Sequence, residues 1–133
     1  MHAPHTYDYA IVRVVPRVER GEFVNVGVIV SCHAQRHLAA RIELDAARLR
    51  ALAPGIDVQF VADALAAIPR ICAGGREAGP LGALTLRERF HWLTAPRSTV
   101  VQTSPVHSGQ CRNLDQAMEH LLTTMVRVDG GAA

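Results

Sequence analysis

From residue 7 to residue 44 hydrophobic side chains fall at alternate positions, the period at which a β-strand shows one face. Over residues 7–15, Ala10, Val12 and Val14 lie on one side and Tyr9, Ile11, Arg13 and Val15 on the other. Both sides are largely apolar, so the pattern predicts a strand in the middle of a sheet. Pro16 ends it, because proline has no N–H to give to a ladder. Residues 17–21 then form a charged turn. A second strand, residues 22–32, sets Val24, Val26, Val28 and Val30 on one face and Phe23, Asn25, Gly27 and Ile29 on the other. Gly27 marks a bulge or a close approach by another backbone. After a polar turn at residues 33–37, Leu38, Ala40, Ile42 and Leu44 alternate with Ala39, Arg41 and Glu43, a third strand with one wet face, as in an antiparallel meander.

Beyond Glu43 the period lengthens to that of helices. Asp45 is a natural N-cap for a short helix over residues 46–53, stopped by Pro54-Gly55. Asp57 caps a second, in which Val58, Val61, Ala62, Leu65, Ile68 and Cys72 recur at helical spacing and Pro69 kinks or frays the last turn. The glycine-rich residues 73–82 read as a flexible loop without the order of a phosphate-binding motif. Thr85 and Glu88 fit a capping box that opens a helix through Leu93. Residues 99–103 read as a fourth strand and 104–112 as a loop. The closing helix, residues 114–126, carries the stripe Leu114, Ala117, Met118, Leu121, Leu122, Met125 and Val126, with a frayed tail at 129–133. With no internal repeat and no linker, the pattern predicts one α+β domain over residues 1–133, its core at 7–126. An antiparallel sheet of three to four strands opens with a β-hairpin meander, helices pack on one face, and an amphipathic helix closes the chain.

Composition narrows the class. At 133 residues, 49% hydrophobic and 20% charged, the chain is long enough for a single core and too apolar for disorder. A net charge of +2 is too small to draw nucleic acid or a membrane surface. All 14 basic residues are Arg, with no Lys, which reads first as codon usage and second as a supply of anion-gripping forks. Cys32, Cys72 and Cys111 are odd in number and without a CxxC, so they read as reduced thiols of a cytoplasmic protein rather than a disulfide framework. The opening MHAPHTYDY lacks the layout of a signal peptide, and no apolar run reaches the length of a membrane span.

Candidate chemistry falls in three places. Arg13, Arg17, Glu19, Arg20, Glu22 and Asn25 crowd the first hairpin. The tip needs polar residues simply to stay solvated, but Arg13 and Asn25 interrupt apolar strands, where a polar group must be braced or must reach a ligand. Arg97, Ser98 and His107 gather around the fourth strand. Arg97 and Ser98 could hold an anion, whereas a Ser98–His107 pair has neither a GxSxG elbow nor an acidic orienter, so no catalytic residue is assigned. Cys32, His33 and His37 suggest a metal only if ligands from far along the chain complete them, and the plain reading is an exposed turn. No metal and no cofactor is expected.

Over residues 7–125 the stretches YDYAIVRVVPRVERGEFVNVGVIV, RHLAARIELDAARLRALAPG, ICAGG and RFHWLTAPRSTVVQTSPVHSG resemble the bacterial domain of unknown function 3037. Its shared polar positions fall here at Arg13, Arg17, Glu19, Arg20, Glu22, Asn25, Arg97, Ser98 and His107. That family has no established activity. Its members are often encoded beside a kinase-like protein similar to the HipA toxin family, and the resemblance therefore implies a small accessory or regulatory subunit. The expectation is a non-enzymatic module that binds a protein partner, the HipA-like kinase, through the hairpin and the segment from Arg97 to His107. The rival is a small anionic-ligand or nucleotide site in which Arg13, Arg97 and Ser98 converge. Nucleic acid and membrane are not expected partners, and an uncovered sheet edge permits a homodimer.

Overall fold

The computed structural model describes residues 3–128. Its sheet is built on β1 (His5–Val14), which pairs antiparallel with β2 (Val24–Cys32) on one side, β2 in turn pairing with β3 (His37–Ile42). On its other side β1 carries two short strands end to end, β4 (Val101–Thr103) along Val12 to Val14 and β5 (His107–Cys111) along His5 to Tyr9. The α+β class, the central first strand and the opening meander are as expected, and the sheet has five strands rather than three or four. The added strand is β5, in the stretch read as a loop. Its sequence, HSGQC, has no apolar alternation because it is an edge strand with mostly exposed side chains.

One serine joins β4 to β5. Pro105 cannot donate to the ladder. Ser104 instead gives its N–H to the Ile11 carbonyl (2.8 Å) and takes the Ile11 N–H on its hydroxyl oxygen (2.8 Å), so a side chain fills in where the backbone ladder is interrupted.

The helices are α1 (Ala46–Leu52), α2 (Val58–Ala73), α3 (Leu86–Thr94) and α4 (Leu114–Leu121). Their N-caps are satisfied as the sequence suggests. Asp45, Asp57 and Asn113 accept from the amides of Arg48, Phe60 and Gln116, and Thr85 and Glu88 form the reciprocal box. α2 runs through Pro69 to Ala73. The glycine-rich segment is not an open loop: residues 76–83 wind into 3-10 turns closed by a bond from Gly75 N to the Gly82 carbonyl (3.2 Å). The expected frayed tail at 129–133 lies outside the described residues.

Helices cover both faces of the sheet, not one. α1, α2 and α3 bury Leu49, Val61, Leu65, Ile68, Phe90 and Leu93 against Val12, Val14, Val24, Val26 and Ile29. α4 lies on the opposite face, with Met118, Leu121 and Leu122 against Tyr7, Ile11, Val28 and Val30. The valine stripe of β2 therefore serves two cores. Pairing shifts by one residue between Val12↔Gly27 and Arg13↔Asn25, leaving Val26 as the extra residue of a bulge. Even-numbered valines face the first core before the bulge and the second after it. Gly27 sits at this point because a Cβ there would stand 2.6 Å from Ile42 Cδ1 and 2.8 Å from the Arg41 carbonyl oxygen. Both readings of Gly27, the bulge and the close approach, hold.

α4 does not run to Val126. It widens at residues 122–126 into a π-turn closed by Arg127 N on the Leu122 carbonyl (2.9 Å). The turn releases two carbonyls to side chains: Met125 O accepts from the Asn25 amide (2.9 Å) and Val126 O from the Arg48 guanidinium (3.1 Å). Met125, placed by its spacing in the core stripe, is turned outward and 42% exposed.

Candidate functional site

The tip of the first hairpin neutralises itself. Arg17 pairs with Glu19 (3.0 Å) and Arg20 with Glu22, each two residues on, across a single 3-10 turn that ends at Gly21 in the left-handed region. The Glu19 carboxyl is held below its usual range by its own backbone amide and by Arg17, and that of Glu22 by Arg20. These four side chains are exposed, so their pairing contributes little stability, but it removes them as free anion grips.

Arg13 and Asn25 belong to a different surface. They oppose one another across β1 and β2, and Arg13 opposes Gln102 of β4 on its other side. Directly opposed residues share a face. That face is the one of Tyr7 and Ile11, under α4, so Asn25, Arg13 and Gln102 form a polar row across three strands beyond the end of the π-turn. Phe23, on the same face, is 44% exposed, and the Arg13 guanidinium lies over its ring at 4.1 Å from the centroid. Met125, held by Asn25, stands beside them. Arg13 Nε and Asn25 Oδ1, a donor and an acceptor on opposed residues, are shielded from solvent without a partner among the described residues.

Arg97 points away from this ledge. Its guanidinium donates to the carbonyls of Leu93 (3.0 Å) and Trp92 (2.6 Å) and stacks on Trp92 at 4.4 Å. It thus caps the C-terminal end of α3, where the helix dipole favours a cation, and faces the first core together with Ile68 and Ile71. Arg13 and Arg97 therefore occupy opposite faces of the sheet, and the expected convergence of Arg13, Arg97 and Ser98 on one anion does not occur. Ser98 is exposed and precedes Val100, whose carbonyl accepts from Val15 N. His107 opposes Tyr9 and packs against its ring at 5.6 Å between centroids. The six residues from Val15 to Tyr9 put about 20 Å between Ser98 and His107 at the rise of an extended strand, too far for a dyad.

Of the nine polar residues singled out in the sequence, Arg13 and Asn25 meet, the four of the turn pair among themselves, and Arg97, Ser98 and His107 stand apart. The ledge also recruits Phe23, Gln102 and Met125. Strand parity marks Phe23 as a neighbour of Asn25, whereas Gln102 and Met125 depend on pairings that only the fold supplies. Among the described residues no group of three His, Cys, Asp or Glu side chains is placed to hold a metal. Cys32, Cys72 and Cys111 are all free. Cys32 and Cys72 are buried, and burial pushes the Cys72 thiol up to about 12 against the pull of Arg89. No single helix among the described residues is long and apolar enough to cross a membrane.

A family model described as a protein of unknown function (DUF3037) matches residues 9–126 of the 133. No curated protein and no solved structure matches the chain.

Proposed function

The chain belongs to the DUF3037 family, and we propose that it works there as a small cytoplasmic interaction module, docking on a bacterial protein partner through the ledge of Arg13, Phe23, Asn25 and Met125. One observation carries this reading: the stretch of sheet that α4 leaves uncovered presents an aromatic ring and a methionine to solvent, with an arginine stacked on the ring. Arginine and aromatic side chains dominate binding energy at protein interfaces, and methionine adapts to varied partners. The unpaired Arg13 Nε and Asn25 Oδ1 add a donor and an acceptor that small side-chain shifts could offer to a partner's peptide group. The self-paired turn takes no part in it: Arg17, Arg20 and Glu22 line a hollow with Leu52 and Ile56 at the end of α1.

The partner is the HipA-like kinase that the family resemblance implies. Co-expression of the two proteins tests the assignment. The double variant Phe23→Ser, Met125→Ser is expected to lose co-purification with the kinase-like protein while its own thermal midpoint falls only slightly, both side chains being already half in water. Arg97→Gln, on the opposite face, should retain the complex. If the ledge variant is captured as well as the wild type, the docking face is wrong.

A further inference from the structure

The arginines of the hairpin tip and Arg97 are occupied by their own neighbours, but among the arginines whose side chains are left without a partner, two line a common cavity. The side chains of Arg36, in the turn between β2 and β3, and of Arg87, in the first turn of α3, make no hydrogen bond or ion pair among the described residues. Both line one cavity of about 890 Å³, between α3 and the end of the sheet. His33 and His37 line it from the sheet side and His91 from the helix side, each able to donate a ring N–H. Asp8 is the one carboxylate in its lining; one oxygen accepts from the Ser108 hydroxyl (2.6 Å), which leaves the other free to take a hydroxyl. Val106 supplies the exposed apolar surface, with the edge of the core residue Phe90 behind it.

Arg36 is also held at φ 49, the only non-glycine residue at positive φ among the described residues. The turn itself, closed by Arg36 N on the His33 carbonyl (3.1 Å), would be better served by glycine or asparagine. Backbone strain of this kind clusters at ligand clamps and active sites.

We propose that this cavity is a binding site for a phosphate monoester of nucleotide size. Arg36 and Arg87 grip the phosphate from opposite walls, His33 and His91 add donors, Asp8 takes a sugar hydroxyl, and the body of the ligand rests on Val106, which lines the cavity and is 44% exposed. Guanidinium forks match phosphate oxygens in geometry and charge. The volume lies within the range of small-molecule sites. The site shares no residue with the docking ledge, so either can fail without the other.

Thermal unfolding of the full chain with AMP, ribose 5-phosphate and adenosine tests the proposal, since a ligand bound only by the folded state raises the midpoint. AMP or ribose 5-phosphate is expected to raise it, and uncharged adenosine is not. Arg36→Gly should unfold at the wild-type temperature or above it, because the strained residue is relieved, yet its affinity for the phosphate ester should fall about tenfold or more, the loss of a charge-assisted contact. Arg87→Ala should show the same loss. No shift with either phosphate ester, an equal shift with adenosine, or full affinity in both variants would overturn the site.

Discussion

Arg89 is 9% exposed and pairs with no carboxylate among the described residues. Its guanidinium donates instead to the carbonyls of Leu84 and Cys72 and packs on the backbone of Gly74, where a Cβ would stand 3.0 Å from Arg89 Cζ. It thereby joins the start of α3 to the end of α2 and fastens the glycine-rich segment between them. Replacing it with Met keeps much of the volume but strips two carbonyls of a charged donor. Arg89→Met should cost about 2–4 kcal/mol, read from the urea midpoint at unchanged slope. A cost within experimental error would mean that water serves those carbonyls equally well. Nothing in the run Leu86-Arg87-Glu88-Arg89-Phe90 separates Arg89 from the charged residues beside it, because its burial comes from the way α2 ends and not from its own helix. Gly27 was legible for the opposite reason. A glycine inside a valine-rich strand is a local anomaly, and the bulge and the crowding by β3 lie at that very position.

Elements that carry their own periodicity or caps were readable, and those defined by a partner strand were not. α1, α2 and α3 start where Asp45, Asp57 and Thr85 predict. β5 shows no alternation and exists because the N-terminal half of β1 offers it an open ladder. The same dependence hid the site: Arg13 and Asn25 were visible as misfits, but which face they share changes with one extra residue at Val26. The weak point of the β4–β5 edge is therefore Ser104, the one side chain that substitutes for backbone in the ladder. Ser104→Ala leaves the Ile11 N–H buried without its acceptor and is expected to destabilise by about 1–2 kcal/mol. Native-state hydrogen exchange should show faster exchange at Ile11 and along His107–Cys111 than in α2. If Ile11 keeps its protection, the hydroxyl is not what closes the gap.

At the scale of the molecule, two cores share one sheet, and among the described residues the helical cover of the second is α4 with its π-turn. To the apolar contacts of that cover is added a set of charges at its end. Arg127 binds Glu43 through two nitrogens (2.8 Å each) and pairs with Glu119, and Arg41 reaches Glu119 at 2.9 Å, so the end of β3 is tied to α4 and to the residue that follows the π-turn. The same segment carries Met125, so this clamp also sets one wall of the docking ledge. Arg127 holds the Glu43 carboxyl below its ordinary value of 4.5, and that of Glu119 likewise. A carboxyl whose pKa is lowered by folding stabilises the native state above its unfolded value, and that contribution is lost as the pH falls through the folded one. The stability difference between wild type and Arg127→Leu should therefore be full at neutral pH, shrink as the pH drops below 4.5, and close once both carboxyls are protonated. Added salt at neutral pH should narrow it as well, since the pairs are partly open to solvent. Chemical denaturation across pH measures it directly. A difference that stays constant into acid would show that Arg127 acts through packing alone, and that the second core is held by its apolar contacts without the clamp.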